Sequence, residues 1–138
     1  MFHRVTIIGN LGQDPEMRYT PQGVPVTSFS VAANRQWTSK EGETIKETVW
    51  FRVLAWRKLG EICNQYLSKG RMVFIEGRLT PEKETGAPRV WTGDDGKARA
   101  SYEITATTIK FIGGGGGNGA DMIVQDEPEP ITEEEIPF

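Results

Sequence analysis

The sequence has little of the chemistry on which metal sites and catalytic centres depend. Among its 138 residues there is one cysteine, Cys63, and one histidine, His3. A single cysteine excludes an internal disulfide, and one cysteine with one histidine argues against a soft-ligand metal site. With His3 as the only histidine, no Ser-His-Asp or Cys-His set is evident, and the glycines at 113–117 lack the other residues of a phosphate-binding loop. We therefore expect no enzyme activity and no cofactor.

Long apolar runs are also missing. No stretch is long enough to span a membrane. The N-terminal residues enter a strand-like pattern at once, without the architecture of a signal peptide. These features predict a cytoplasmic protein.

Basic residues are absent from the end of the chain. Seven of the 19 acids and none of the 16 bases lie in residues 113–138, which leaves 12 acids and 16 bases in residues 1–112. A basic body joined to an acidic tail often accompanies nucleic-acid binding, although an acidic tail can also serve solubility alone. The apolar end of the tail favours a protein-docking tip, which comprises Glu133, Glu134, Glu135, Ile136, Pro137 and Phe138. We expect residues 113–117 to be a flexible linker and residues 121–138 to be disordered.

The remaining 112 residues have the pattern of a small barrel. Alternation and β propensity predict five strands, at residues 2–8, 24–35, 46–56, 71–79 and 98–112. A helical period between the third and fourth strands is set by Leu59, Ile62, Cys63, Tyr66 and Leu67. Residues 81–96 are polar and glycine-rich, and predict a long flexible hairpin loop. This order predicts an all-β domain with one helix, the five-stranded Greek-key barrel called the OB-fold.

The third predicted strand has two different faces. Its odd positions from Val49 to Ala55 are apolar and suit a core, whereas the even face carries Lys46, Trp50, Arg52 and Trp56. Exposed rings stack nucleobases with about 1–3 kcal/mol each, largely independent of base identity. Cations between the rings can contact phosphates. Packing of these tryptophans against a partner subunit or a loop is the alternative.

The two other tryptophans also lie beside cations. Trp37 follows Arg35, and Trp91 follows Arg89, each at a spacing of two in or beside polar loops. By contrast, the glutamates scatter across predicted loops and form no evident pair. The candidate DNA-binding set is Trp37, Trp50, Trp56, Trp91, Arg35, Lys46, Arg52, Arg78 and Arg89.

Several runs together resemble the bacterial single-stranded DNA-binding protein (SSB) family. They are Val5 to Tyr19, with its Gly-Asn-Leu-Gly-Gln-Asp-Pro-Glu core, then 48–53, 56–61, 66–70 and 75–79, and the acidic Ile-Pro-Phe end. The resemblance implies an OB-fold homotetramer that wraps single-stranded DNA, with the four tryptophans as stacking residues. It also implies nucleoid association and a tip that recruits replication, recombination and repair proteins.

Two other functions fit parts of the pattern. An accessory module of the replication machinery, built on the same barrel, would use the aromatics at a protein interface and bind DNA weakly. An RNA-binding barrel of the cold-shock kind is the other alternative, but those domains are shorter and carry compact Phe and His surface motifs that this sequence lacks.

Overall fold

The computed structural model describes residues 1–113 and 122–125. Within them the elements follow the chain as β1 (Val5–Leu11), β2 (Glu16–Tyr19), β3 (Pro25–Thr38), β4 (Thr44–Trp56), α1 (Arg57–Tyr66), β5 (Met72–Leu79), β6 (Val90–Thr92), β7 (Ala98–Ala100), β8 (Tyr102–Ile112) and β9 (Met122–Gln125).

Five of these strands close into a ring. The order is β1-β5-β8-β4-β3, and β3 returns to β1 at the pairs Asn10↔Ala32 and Leu11↔Val31. All neighbours in the ring are antiparallel except β4 and β8, which are parallel. With α1 between β4 and β5, this is the predicted OB-fold barrel, and the prediction of the fold class is confirmed.

Alternating residues of the ring strands fill the barrel. Val53 and Ala55 of β4 are fully buried, as the odd face of that strand predicts, while Phe51 packs at the margin of the core. α1 adds Leu59 and Cys63, which are also buried. Burial raises the pKa of the Cys63 thiol to about 12, because the thiolate would lose its hydration. Cys63 is thus a small apolar core residue, in agreement with its place in the apolar period of the helix, and not a nucleophile.

A β-bulge interrupts the regular pairing of β5 with β8. Glu76 pairs with Thr108 but Gly77 pairs with Ala106, so Thr107 is the extra residue. The Thr107 hydroxyl donates a hydrogen bond to the carbonyl of Glu76. The bulge changes which residues of β8 face the core, from Ile104 and Ala106 before it to Ile109 and Phe111 after it.

Short strands depart from the predicted pattern at three places. β2 pairs with β3 and was not predicted from the sequence. Part of the supposed flexible loop forms a two-stranded hairpin of β6 and β7, and the predicted strand at 98–112 divides at Ser101. In the tail, β9 pairs with β8 where disorder was expected. The reason is that β4 leaves β8 after Thr105, which opens an edge that a short β-forming segment can occupy. No helix in the described residues is long and apolar enough to cross a membrane.

Candidate nucleic-acid interface

The outer face of β3 and β4 carries large side chains on one strand and small ones on the other. Trp50 lies opposite Ala32, and Arg52 lies opposite Ser30. Because the residues of β3 are small, they leave the rings and cations of β4 accessible from the solvent side. This is the face that the even positions of β4 predicted.

Trp50 lies over the backbone of the β1–β2 turn. A Cβ atom added to Gly12 would stand 2.6 Å from Cζ3 of the Trp50 ring, so the ring in this position lies directly against the backbone of Gly12. The ring nevertheless remains 54% exposed. Gly12 therefore supports one side of a ring that stays available for stacking.

Arg52 and Arg89 meet at a single carboxylate. Glu103 Oε1 lies 3.0 Å from Arg52 Nη1 and 3.7 Å from Arg89 Nη1. The parallel register of β4 and β8 places Arg52 directly opposite Glu103. Glu103 is only 8% exposed, so its carboxylate is buried between the two guanidinium groups. Its ion pairs attach the segment before β6 to the barrel.

Trp91 lies on the β6–β7 hairpin beside the same cluster. The Arg89 guanidinium carbon stands 5.8 Å from the centre of the Trp91 ring, in the range of a cation–π contact. Trp91 lines a cavity of about 260 Å³ together with Arg52, Arg89, Ser101 and Glu103. The structure thus brings a ring and two cations together from elements about 40 residues apart in the chain.

Trp56 occupies the end of β4, where α1 begins. It lies on the same face as Trp50, opposite Val26, and is half-buried. The two rings are six residues apart along one strand, a separation of about 20 Å. A single strand of nucleic acid would contact both only by running along β4.

Other predicted site residues lie outside this surface. The register of β3 and β4 is unbroken from Val26 to Thr38, so Trp37 and Arg35 lie on the opposite face from Trp50. There the Arg35 guanidinium carbon stands 4.9 Å from the Trp37 ring centre. Lys46 shares the face of Trp50 and is exposed towards the far end of the hairpin. Arg78 lines a separate cavity with the N-terminal segment 1–4.

Sequence reasoning missed the polar residues that organise the cluster. Glu103 and Ser101 carry no motif, and a lone acid beside buried Ile104 was the only available signal. Arg18 is outside the candidate set; it pairs with Glu16 at 2.7 Å and lines a hollow of about 140 Å³ that also includes Arg52. The docking tip, Glu133 to Phe138, lies outside the described residues.

A closed OB-fold barrel with rings and cations along one strand is an arrangement that proteins binding single-stranded nucleic acids use. The sequence profile of the single-strand binding protein family matches residues 2–112. The chain therefore belongs to that family.

Known relatives agree with this assignment. The single-stranded DNA-binding proteins of Neisseria meningitidis serogroup A (strain Z2491) and serogroup B (strain MC58) are each 41% identical to it over 112 residues. Each match covers 81% of this chain and 60% of the relative.

Solved structures share the fold. The small single-stranded DNA-binding protein of Streptomyces coelicolor superposes with a TM-score of 0.64 at 25% identity, over 79% of this chain and 93% of that one. The Plasmodium falciparum SSB complex with ssDNA gives a TM-score of 0.62 at 21% identity, over 92% and 97% of the two chains, and supports the fold alone.

Proposed function

We propose that this protein binds single-stranded DNA independently of sequence and protects it, through base stacking and phosphate contacts on the outer face of β4. The observation that carries the proposal is the convergence of Trp50, Arg52, Arg89 and Trp91 on one accessible surface. Rings accept any base, and cations follow the backbone common to all sequences. Family membership and the names of the relatives support the same function.

Titration with oligo-dT tests this proposal. Stacking on tryptophans quenches their intrinsic fluorescence, so a single-strand binder should show strong quenching that weakens as salt is added. An accessory module that uses the same rings to bind proteins should show little quenching when oligo-dT is added. Competition between DNA and RNA oligomers of equal length separates the cold-shock alternative, which would favour RNA.

We further infer that the chain divides its work between residues 1–112, which bind DNA, and residues 113–138, which dock proteins. The tip combines apolar Ile136 and Phe138 with three acids, and proline limits the conformational freedom lost on binding. A partner pocket with an apolar floor and a basic rim would satisfy both features. The partners proposed are replication, recombination and repair proteins, which places the protein with the nucleoid in the cytoplasm.

Substituting Phe138 by alanine should abolish capture of these partners and leave oligo-dT affinity nearly unchanged, because the proposed role of the ring is to fill the partner's pocket and the proposed DNA-binding surface lies within residues 1–112. The measurement is a pull-down from cell extract, with replication, recombination and repair proteins identified by mass spectrometry. Ile131→Ala removes another apolar residue of the tail and is the matched control. If the wild type and Phe138→Ala capture identical sets of proteins, the docking proposal is wrong and the tail serves solubility alone.

Self-association is proposed on the side of the barrel formed by β1, β5 and β8. Ile8 lies opposite Phe74, and Met72 lies opposite Ile112, which makes an outward apolar patch. Ile8 is 55% exposed and Met72 is 40% exposed in the single chain. Burying such a patch against a second copy is favourable at about 25 cal/mol per Å². The resemblance to the family supplies the number four, a homotetramer.

Replacing Ile8 by glutamate should shift the protein from the oligomer towards its 15.4 kDa monomer, since a charge would have to be buried in the interface. Light scattering at micromolar concentration measures the mass. Ile45→Glu alters an exposed apolar residue at the far end of the β3–β4 hairpin and should leave the mass unchanged. A wild-type mass equal to one chain would refute the oligomer.

A further inference from the structure

A buried carboxylate lies in a surface proposed to bind phosphates. Glu103 carries one negative charge between the guanidinium groups of Arg52 and Arg89. Two cations and one anion leave this cluster with a net charge of one positive. The cluster can therefore accept one further anion without carrying an excess of negative charge.

The two arginines are held unequally. Arg52 projects from β4 and donates a hydrogen bond to Glu103 over 3.0 Å. Arg89 precedes the β6–β7 hairpin, and its 3.7 Å separation from the same oxygen is too long for a hydrogen bond. The Arg89 side chain is also 56% exposed, against 41% for Arg52. Arg89 can therefore leave Glu103 for another anion at a smaller cost in free energy than Arg52 can.

A hydroxyl in the same cavity lacks a partner. Ser101 Oγ is buried and makes no hydrogen bond with any described residue. It lines the cavity with both arginines, Trp91 and Glu103. An unpaired buried hydroxyl destabilises the protein, and a hydrogen bond to a ligand oxygen within reach would remove that penalty. The cavity therefore offers cations and a hydroxyl donor to an anion, beside a ring on which a base can stack.

We propose that this cavity is a subsite for one phosphodiester of the bound strand, and that Glu103 is its internal counter-ion. In the free protein Glu103 holds Arg89 beside Trp91. When the strand binds, Arg89 moves from the carboxylate to the phosphate, Ser101 donates to a phosphate oxygen, and Arg52 remains on Glu103. Glu103 is thus a positioning residue. The inference rests on the proposed single-stranded DNA binding and deepens it.

Substituting Glu103 by glutamine tests the counter-ion role. Glutamine keeps the shape and an acceptor for Arg52 but removes the charge, so both cations become available to the strand. Oligo-dT affinity should rise at low salt. The plot of log K against log salt should steepen by about 0.7, because one additional phosphate is neutralised. Tryptophan quenching titrations over a series of salt concentrations give both quantities.

A matched variant separates the local effect from overall charge. Glu76→Gln removes an equal charge from the pair that Glu76 forms with Arg4 at 3.3 Å, outside the cavity. Its salt slope should equal that of the wild type. The proposal would be overturned if the salt slope of Glu103→Gln equals that of the wild type, or if this variant binds more weakly at every salt concentration. Equal changes in Glu103→Gln and Glu76→Gln would also overturn it.

A second variant does not depend on how the protein tolerates a change at buried Glu103. Arg89→Ala removes the exchanging cation from an exposed side chain and should flatten the salt slope by about 0.7. An unchanged slope would contradict the exchange. Failure of the wild type to bind oligo-dT at all would instead remove the proposed function, so the two failures are distinguishable.

Discussion

Replacing Trp50 and Trp91 together by alanine should weaken binding of oligo-dT by about thirtyfold or more. Each ring that stacks a base contributes about 1–3 kcal/mol, and 1.4 kcal/mol corresponds to a factor of ten. Trp50 and Trp91 are 54% and 39% exposed; Trp91 lines the cavity of the arginine cluster, and Trp50 lies two residues before Arg52 on the same face of β4. Their loss should therefore remove stacking without opening the core. Anisotropy of a dye-labelled oligonucleotide measures affinity independently of the removed fluorophores.

Two comparison variants show whether the rings act by stacking. Trp50→Phe keeps an aromatic face above Gly12 and should retain most of the affinity. Phe2→Ala removes an aromatic side chain that is 82% exposed but lies with the N-terminal segment, away from this face, and should have little effect. Wild-type affinity in a folded Trp50→Ala/Trp91→Ala protein would show that the rings serve another purpose.

Gly77→Ala should lower the free energy of unfolding by about 3 kcal/mol or more, at the upper end of what overpacking costs. A Cβ atom there would collide with the carbonyl oxygen of Thr105 and stand 2.9 Å from the carbonyl carbon. These are backbone atoms of β8 at the bulge, so they cannot yield as a flexible side chain would. Relief would require breaking the pairing of β5 with β8, which closes the barrel. Urea unfolding followed by circular dichroism gives the value.

Gly42→Ala separates the effect of steric collision from that of backbone conformation. Gly42 has a φ of 80° in the β3–β4 turn, and an added Cβ would meet nothing within 4 Å. Its substitution should cost only about 1–2 kcal/mol, the penalty of a left-handed conformation for a residue with a Cβ. Equal losses in the two variants would show that close approach at Gly77 is not what excludes a side chain.

Local patterns in the sequence were sufficient to predict the barrel. The alternation along β4 predicted its buried face, and the apolar period at 59–67 placed the helix between the correct strands. Both patterns repeat over several residues, and burial of one face imposes them directly. β2 and the β6–β7 hairpin are three or four residues long, too short to show a period. Their pairing partners, not their composition, make them strands.

The sequence by itself determined the barrel, its one helix, the aromatic and basic character of β4 and the charge asymmetry between body and tail. These properties depend on neighbouring residues. Tertiary structure alone decided that Arg52, Arg89 and Trp91 meet at Glu103, and that Trp37 and Arg78 lie elsewhere. The reason is that the parallel pairing of β4 with β8 joins residues about 50 positions apart in the chain. No local pattern records which side chains such a pairing brings together.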